Sequence, residues 1–259
     1  MLAVLTDQAA DVRFALDAVI DPELDEPITD LGFIRSIEIG DDSVVVHLRL
    51  PTSFCSPNFA YLMASDSKDA LSALPWADRV VVELDDHHDS DIINRGLAAD
   101  AGYVGTFGNE AESDLDELRL TFQRKAHSAA MERCLTRLLR AEQDRPIESL
   151  SVVTMAELVD DEATAALHRR RDAIGLPSTS GALVMVDHAG KGYAPDDVPI
   201  ALRRARSTRI SIDGNAHFCR GLLATRYPGS EADQSVRPQG TESSGLTFIP
   251  ITQLKEHQS

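Results

Sequence analysis

The chain has 259 residues, is 43% hydrophobic and carries a formal net charge of −17. That is enough apolar material for a real core and enough length for two modest domains, while no apolar run approaches the roughly 18 residues that a membrane span needs. Its start, Met1 to Asp7, has neither a basic region nor a long apolar stretch, and three widely spaced cysteines do not suggest a disulfide framework, so free thiols in a reducing cytoplasm are expected.

The negative charge is uneven. Residues 1–115 hold 23 Asp+Glu and 6 Lys+Arg, whereas residues 116–259 hold 19 of each. Such a field repels nucleic acid and suits cations or a basic protein surface, besides keeping the chain soluble.

Taken in order, Asp7 to Ile20 reads as an amphipathic helix with Val12, Leu16, Val19 and Ile20 on one side, ended by Asp21-Pro22. A loop follows with five carboxylates, Asp21, Glu23, Asp25, Glu26 and Asp30. From the residues alone it is a solvated acidic turn whose Asp side chains cap local amides. Gly32 turns the chain into a strand, Phe33 to Ile39, and Gly40-Asp41-Asp42 signals a hairpin into Val44 to Leu50, where apolar and polar residues alternate. Pro51 stops the ladder. Phe59, Leu62, Met63, Ala70, Leu71 and Leu74 then recur at helical spacing behind Pro57-Asn58. Cys55 falls between the strand end and the helix start, where the dipole favours a thiolate able to act as nucleophile or soft metal ligand.

Arg79 to Leu84 suits a third strand. It leads into Asp85-Asp86-His87-His88-Asp89-Ser90-Asp91, which offers ligand types that iron and zinc accept. Consecutive extended residues point to opposite sides, so these cannot all meet one ion, and Asp89 or Ser90 also fits a helix cap. The glycines and acids between Gly96 and Asp114 mark a boundary. A long helix starts at Asp114, with Cys134 in its apolar stripe and read as a small buried hydrophobe. Beyond it the pattern is α/β: strands at Leu150–Val153, Ala182–Val186 and Thr208–Ile212, and helices at Glu162–Ile174, closed by Gly175, and Val198–Arg206. Asp187-His188 and the run from Asp213 through His217 and Cys219 would then be loops after strands, where open α/β sheets place ligands. His217 and Cys219 share a site only if that run is extended; a buried cysteine and a backbone-bonded histidine fit the same residues. Residues 229–246 read as disordered, with Thr247 to Ile251 a short docking strand.

Asp21-Pro22-Glu23-Leu24, then Asp30-Leu31-Gly32, then Thr52 and Cys55 ahead of a helix together resemble the small iron-sulfur cluster assembly family whose members include SufT and PaaD. The resemblance covers about the first 100 residues. It implies a compact α/β domain, a functional cysteine at Cys55, and a role in maturing iron-sulfur proteins or iron-containing oxygenases. Two departures show: Ser56 separates Cys55 from Pro57 where the family usually has Cys-Pro, and His87-His88 stands where relatives carry a segment rich in proline and tryptophan.

The resulting expectation is an α/β (α+β) chain: an iron-sulfur-assembly-like domain at 1–105, a linker at 106–114, a long helix with an α/β extension at 115–228, and a tail at 229–259. It would act as a maturation factor without enzymatic activity of its own. Cys55, His217 and Cys219 would hold iron or an iron-sulfur cluster transiently, supported by Asp21, Glu23, Asp30, Thr52, His87 and His88. The partners would be a client metalloprotein, a diiron oxygenase among the candidates, and a second copy of the chain in a homodimer, with no membrane involved. Two rivals stand beside it: an enzyme using Cys55 or Cys219 as nucleophile with His217 or His188 as base, and a metal-free scaffold gripping an apo-oxygenase by its acidic face.

Overall fold

The computed structural model describes residues 2–108, 115–229 and 236–239. The first helix, α1 (Leu2–Asp17), ends four residues before Asp21-Pro22. The reason is that Ile20–Asp21 (β1) leaves helical geometry to pair with Glu26–Pro27 (β2) in a minimal antiparallel hairpin. Its turn holds Asp25 at φ 56°, a left-handed conformation that aspartate tolerates better than most side chains.

The sheet is built as the alternation predicts. β3 (Ile34–Ile39) and β4 (Ser43–Arg49) form an antiparallel hairpin, and β5 (Arg79–Asp85) adds in parallel to β4 after the crossover helix α2 (Pro57–Ser72). A short strand, β6 (Val236–Pro238), lies within the stretch expected to be tail and pairs in parallel with β3, giving the order β5-β4-β3-β6. Val44, Val46 and Leu48 turn inward and are buried beneath α1 and α2, together with Val12, Leu16, Ala60, Ala64 and Leu71. β5 is an edge strand. The side-chain amide of Asn94 in α3 (Ser90–Ala98) covers part of that edge, accepting from Leu84 N and donating to Leu84 O. Next comes α4 (Gly102–Phe107), inside the stretch read as boundary and linker; residues 109–114 lie outside the described ones.

The extension is helical among the described residues. α5 (Leu115–Ala141), α6 (Glu162–Ala173) and α7 (Val198–Arg226) enclose a second core containing Met131, Leu135, Leu167, Val184 and Leu202. Each strand expected there takes another form. Leu150–Val153 falls in a 3-10 turn, Ile147–Val152. Ala182–Val186 makes only isolated bridges, Thr154 with Leu183 and Val186 with Gly192. Thr208–Ile212 lies in the middle of α7. The segment 240–259, including the strand expected at Thr247–Ile251, lies outside the described residues. The class is mixed α/β, and among the described residues the four-stranded sheet is built from the N-terminal domain and β6.

A helix of 29 residues spans about 43 Å, so α7 serves both cores. Ala201, Leu202 and Ala205 belong to the second, Ala216 and Leu223 to the first. Cys134 is buried, as the apolar stripe implies, and its thiol points at Ala163 O at 3.4 Å.

Candidate functional site: two thiols where α7 meets the sheet

β4 stops at Arg49, and the loop through Pro51 reaches α2, whose N-cap is Ser56 and whose first residue is Pro57. Cys55 is therefore the residue before the cap, half-buried against the first core. Thr52 Oγ1 lies 3.5 Å from Cys55 Sγ and accepts from Phe54 N at 3.2 Å, which leaves the hydroxyl proton free to point at the sulfur. His87 is buried and holds the loop by its backbone. Its Nδ1 accepts from Asp89 N, which puts the ring proton on Nε2, and Nε2 donates to Cys55 O at 2.9 Å. His87 thus positions Cys55 and has no lone pair to offer a metal in that tautomer. His88 is exposed, with its ring 5.9 Å from that of Phe54 and its amide bonded to Ser53 O. Neither Asp89 nor Ser90 caps α3 with its side chain; the Ser90 hydroxyl donates to His87 O instead.

The acidic loop is less solvated than its composition suggests. Asp21 is 5% exposed, and its Oδ1 accepts from Glu23 N and Leu24 N at 2.9 and 2.8 Å. Burial raises its pKa from 3.8 to about 6, against the pull of those two amides and with help from the charges of Glu23 and Glu26. Asp25 is tied to Arg170 of α6 at 2.7 Å, and Asp30 is exposed in the turn before Gly32.

α7 closes the site. Asn215 donates to Glu23 Oε1 at 3.2 Å, Arg220 pairs with Glu26, and Arg226 reaches Leu50 O at 3.0 Å, Ser53 Oγ at 2.8 Å and Asp86 O. Between these anchors lies Cys219, half-buried on the same core as Cys55, on the stripe that also carries Ala216 and Leu223. Its thiol is pushed up to about 11, by burial first and then by the charges of Cys55, Asp21 and Glu23. His217 is two residues from Cys219 on a helix, about 200° around the axis, and is exposed, so the pairing expected from an extended loop does not form. His188 is exposed in the turn after Val186, and Asp187 there accepts from Ala189 N and Lys191 N. A large exposed aromatic flanks each cysteine: Phe54 at 81% and Phe218 at 65%.

Sequence reading missed His47. With Glu83 and Asp85 it forms the one group of three metal-capable side chains with converging donor atoms found among the described residues. Only the polar face of an alternating strand marked it.

The architecture is that of a small α/β domain presenting a cysteine at a strand-to-helix junction, with a helical extension folded over it. A family model described as iron-sulfur cluster assembly protein matches residues 9–84. An uncharacterized protein of Methanocaldococcus jannaschii is 34% identical over 88 residues, 34% of this chain and 90% of that protein. The iron-sulfur cluster carrier proteins of Mycobacterium tuberculosis and Mycobacterium bovis are 40% identical over 80 residues, 30% of this chain. The chain spans about a fifth of the length of those carriers. No solved structure matches it. Through its N-terminal domain, the chain belongs to the iron-sulfur cluster assembly protein family.

Proposed function

We propose that this protein acts in iron-sulfur assembly or delivery, handing an iron or iron-sulfur centre to a client metalloprotein, a diiron oxygenase being one candidate. Cys55 would be the sulfur that takes the cargo and Cys219 its second. The observation that carries this reading is the packing of two free, half-buried thiols from distant parts of the chain against one core, with the Asp21 carboxylate close enough for its charge to act on Cys219. Thiolates select iron and iron-sulfur clusters over harder cations. The Thr52 hydroxyl supports charge on the Cys55 sulfur, and Asp21, ionised above about pH 6, offsets the positive charge of the cargo. Cys219 must give up its proton when it binds, so loading strengthens as pH rises.

Clusters are usually held by four cysteine ligands. Two sulfurs from this chain leave positions for a client's own ligands, as a hand-over requires. Phe54 and Phe218 give that client an apolar rim. The raised pKa and the distance of His217 speak against Cys219 as a catalytic nucleophile.

The test is anaerobic loading with iron and sulfide, followed by transfer to an apo-client. Cys55→Ala should stay folded, retain at least tenfold less cargo and leave the client iron-poor and inactive, while Cys219→Ala should hold cargo more weakly than the parent. Full client activation by Cys55→Ala would remove the mechanism.

A further inference from the structure

We infer that the outer face of the sheet carries a second, sulfur-free binding site for one divalent transition-metal ion, formed by His47 Nδ1, Asp85 Oδ1 and a Glu83 carboxylate oxygen. The site follows from strand register. β4 and β5 are parallel, with His47 directly opposite Glu83. Residues two apart on a strand share a face, so Asp85 joins Glu83 on the side where His47 stands, away from the apolar side buried by Val46, Leu48, Val82 and Leu84.

The donor atoms are nearly in place. His47 Nδ1 lies 3.1 Å from Asp85 Oδ1 and 3.9 Å from Glu83 Oε2, and all three ligand atoms lie within 4.8 Å of one another. Around a tetrahedral ion with bonds near 2.0–2.1 Å, ligand atoms stand roughly 3.4 Å apart, so small rotamer adjustments of a half-buried imidazole and the more open Glu83 close the set.

Arg35 organises it from behind. Its guanidinium takes Asp85 Oδ2 at 2.8 Å and reaches Asp86 Oδ2 at 3.5 Å. That holds the Asp85 carboxylate with its other oxygen toward the imidazole, the kind of outer contact that orients ligands in built metal sites. One imidazole with two carboxylates suits Zn²⁺ or Fe²⁺ and leaves a coordination position for water, whereas Mg²⁺ and Ca²⁺ prefer oxygen alone. The site is chemically separate from the thiols, although β5 continues from Asp85 through Asp86 to His87, which grips the Cys55 loop.

The test uses the untagged full chain carrying Cys55→Ser and Cys219→Ser, so that failure of the thiol reading does not touch it. Zn²⁺ is titrated in competition with a chromogenic chelator, and Fe²⁺ likewise under anaerobic conditions. One equivalent of each should bind, tenfold or more weakly after His47→Gln and after Glu83→Gln, and millimolar Mg²⁺ should not displace it. Glu83 is the more exposed of the two, so Glu83→Gln carries the test if His47→Gln lowers the thermal midpoint. A chain without the Cys55 and Cys219 thiols that binds no zinc, or unchanged affinity in both variants, would make the cluster a plain His47–Asp85 ion pair; displacement by Mg²⁺ would overturn the transition-metal assignment.

Discussion

Asp21 shows at the scale of one residue how the site works against the fold. Its raised pKa means that the folded chain keeps a proton between about pH 4 and 6 that the unfolded chain releases. For a carboxylate displaced in this direction, stability is highest below that window, falls as pH rises through it, and carries the full penalty above it, about 2 to 3 kcal/mol for a shift of this size. Asn at this position keeps an oxygen to accept from Glu23 N and Leu24 N but has no charge to bury. Asp21→Asn should therefore be more stable than the parent by about 2 kcal/mol in urea at pH 7.5 and equal to it at pH 4. Under the proposed function it should also load iron less well at neutral pH, since the charge that acts on Cys219 is gone. Equal stability at both pH values would show that Asp21 is ionised in the fold at no cost. The sequence marked Asp21 as one acid among five. Its burial comes from β1 pairing with β2 and α7 lying over the loop, contacts that no local pattern encodes.

The element that decides the site is α7, and it is also where sequence reading went furthest astray. Thr208, Ile210 and Ile212 alternate with polar residues and include β-branched types, a strand signature, and Asp213-Gly214 looks like a turn. Helical packing overrides both: Leu202, Ala205, Ile212, Ala216, Cys219 and Leu223 follow one another at intervals of three, four or seven residues and so share one face of the helix. Buried Glu132 of α5, bonded to Arg206 at 2.9 Å and Arg209 at 2.5 Å, fixes the middle of the helix where the strand was expected. The hairpin β3–β4 and the β4-α2-β5 crossover were legible because their signals are local and consistent. The position of Cys55 between a strand and a helix was legible for the same reason, whereas the packing of Cys219 on the same core depends on the far end of a helix. Arg226 is the last clamp there, bonding Leu50 O, Ser53 Oγ and Asp86 O, and Tyr227 adds a bond to Asp86 Oδ2 at 3.0 Å. Charge-assisted bonds of this kind contribute about 1.5 to 3 kcal/mol each, partly shared when one group makes several. Arg226→Met should cost about 2 to 3 kcal/mol in urea unfolding and speed alkylation of Cys219 severalfold. An unchanged alkylation rate would mean that α7 stays seated without the clamp.

For the molecule as a whole, the question is whether the family domain and its extension behave as two bodies or one. A boundary read near residue 105 suggests two, yet α7 contributes to both cores, Leu115 at the start of α5 packs in the first, and Arg170 of α6 is bonded to Asp25 of the hairpin. The packing of Cys219 on the core that holds Cys55 depends on this: if the extension opened freely, Cys219 would leave that core at little cost, and the proposed loading would have to bear the ordering of both. The single tryptophan, Trp76, reports the first core through its bond to Asp11, while helical circular dichroism comes largely from α5, α6 and α7. Urea unfolding followed by tryptophan fluorescence and by ellipticity should therefore give coincident midpoints and one slope, as a single cooperative transition requires. Loss of ellipticity at lower urea than loss of the tryptophan signal would show that the extension, and Cys219 with it, detaches before the first core unfolds.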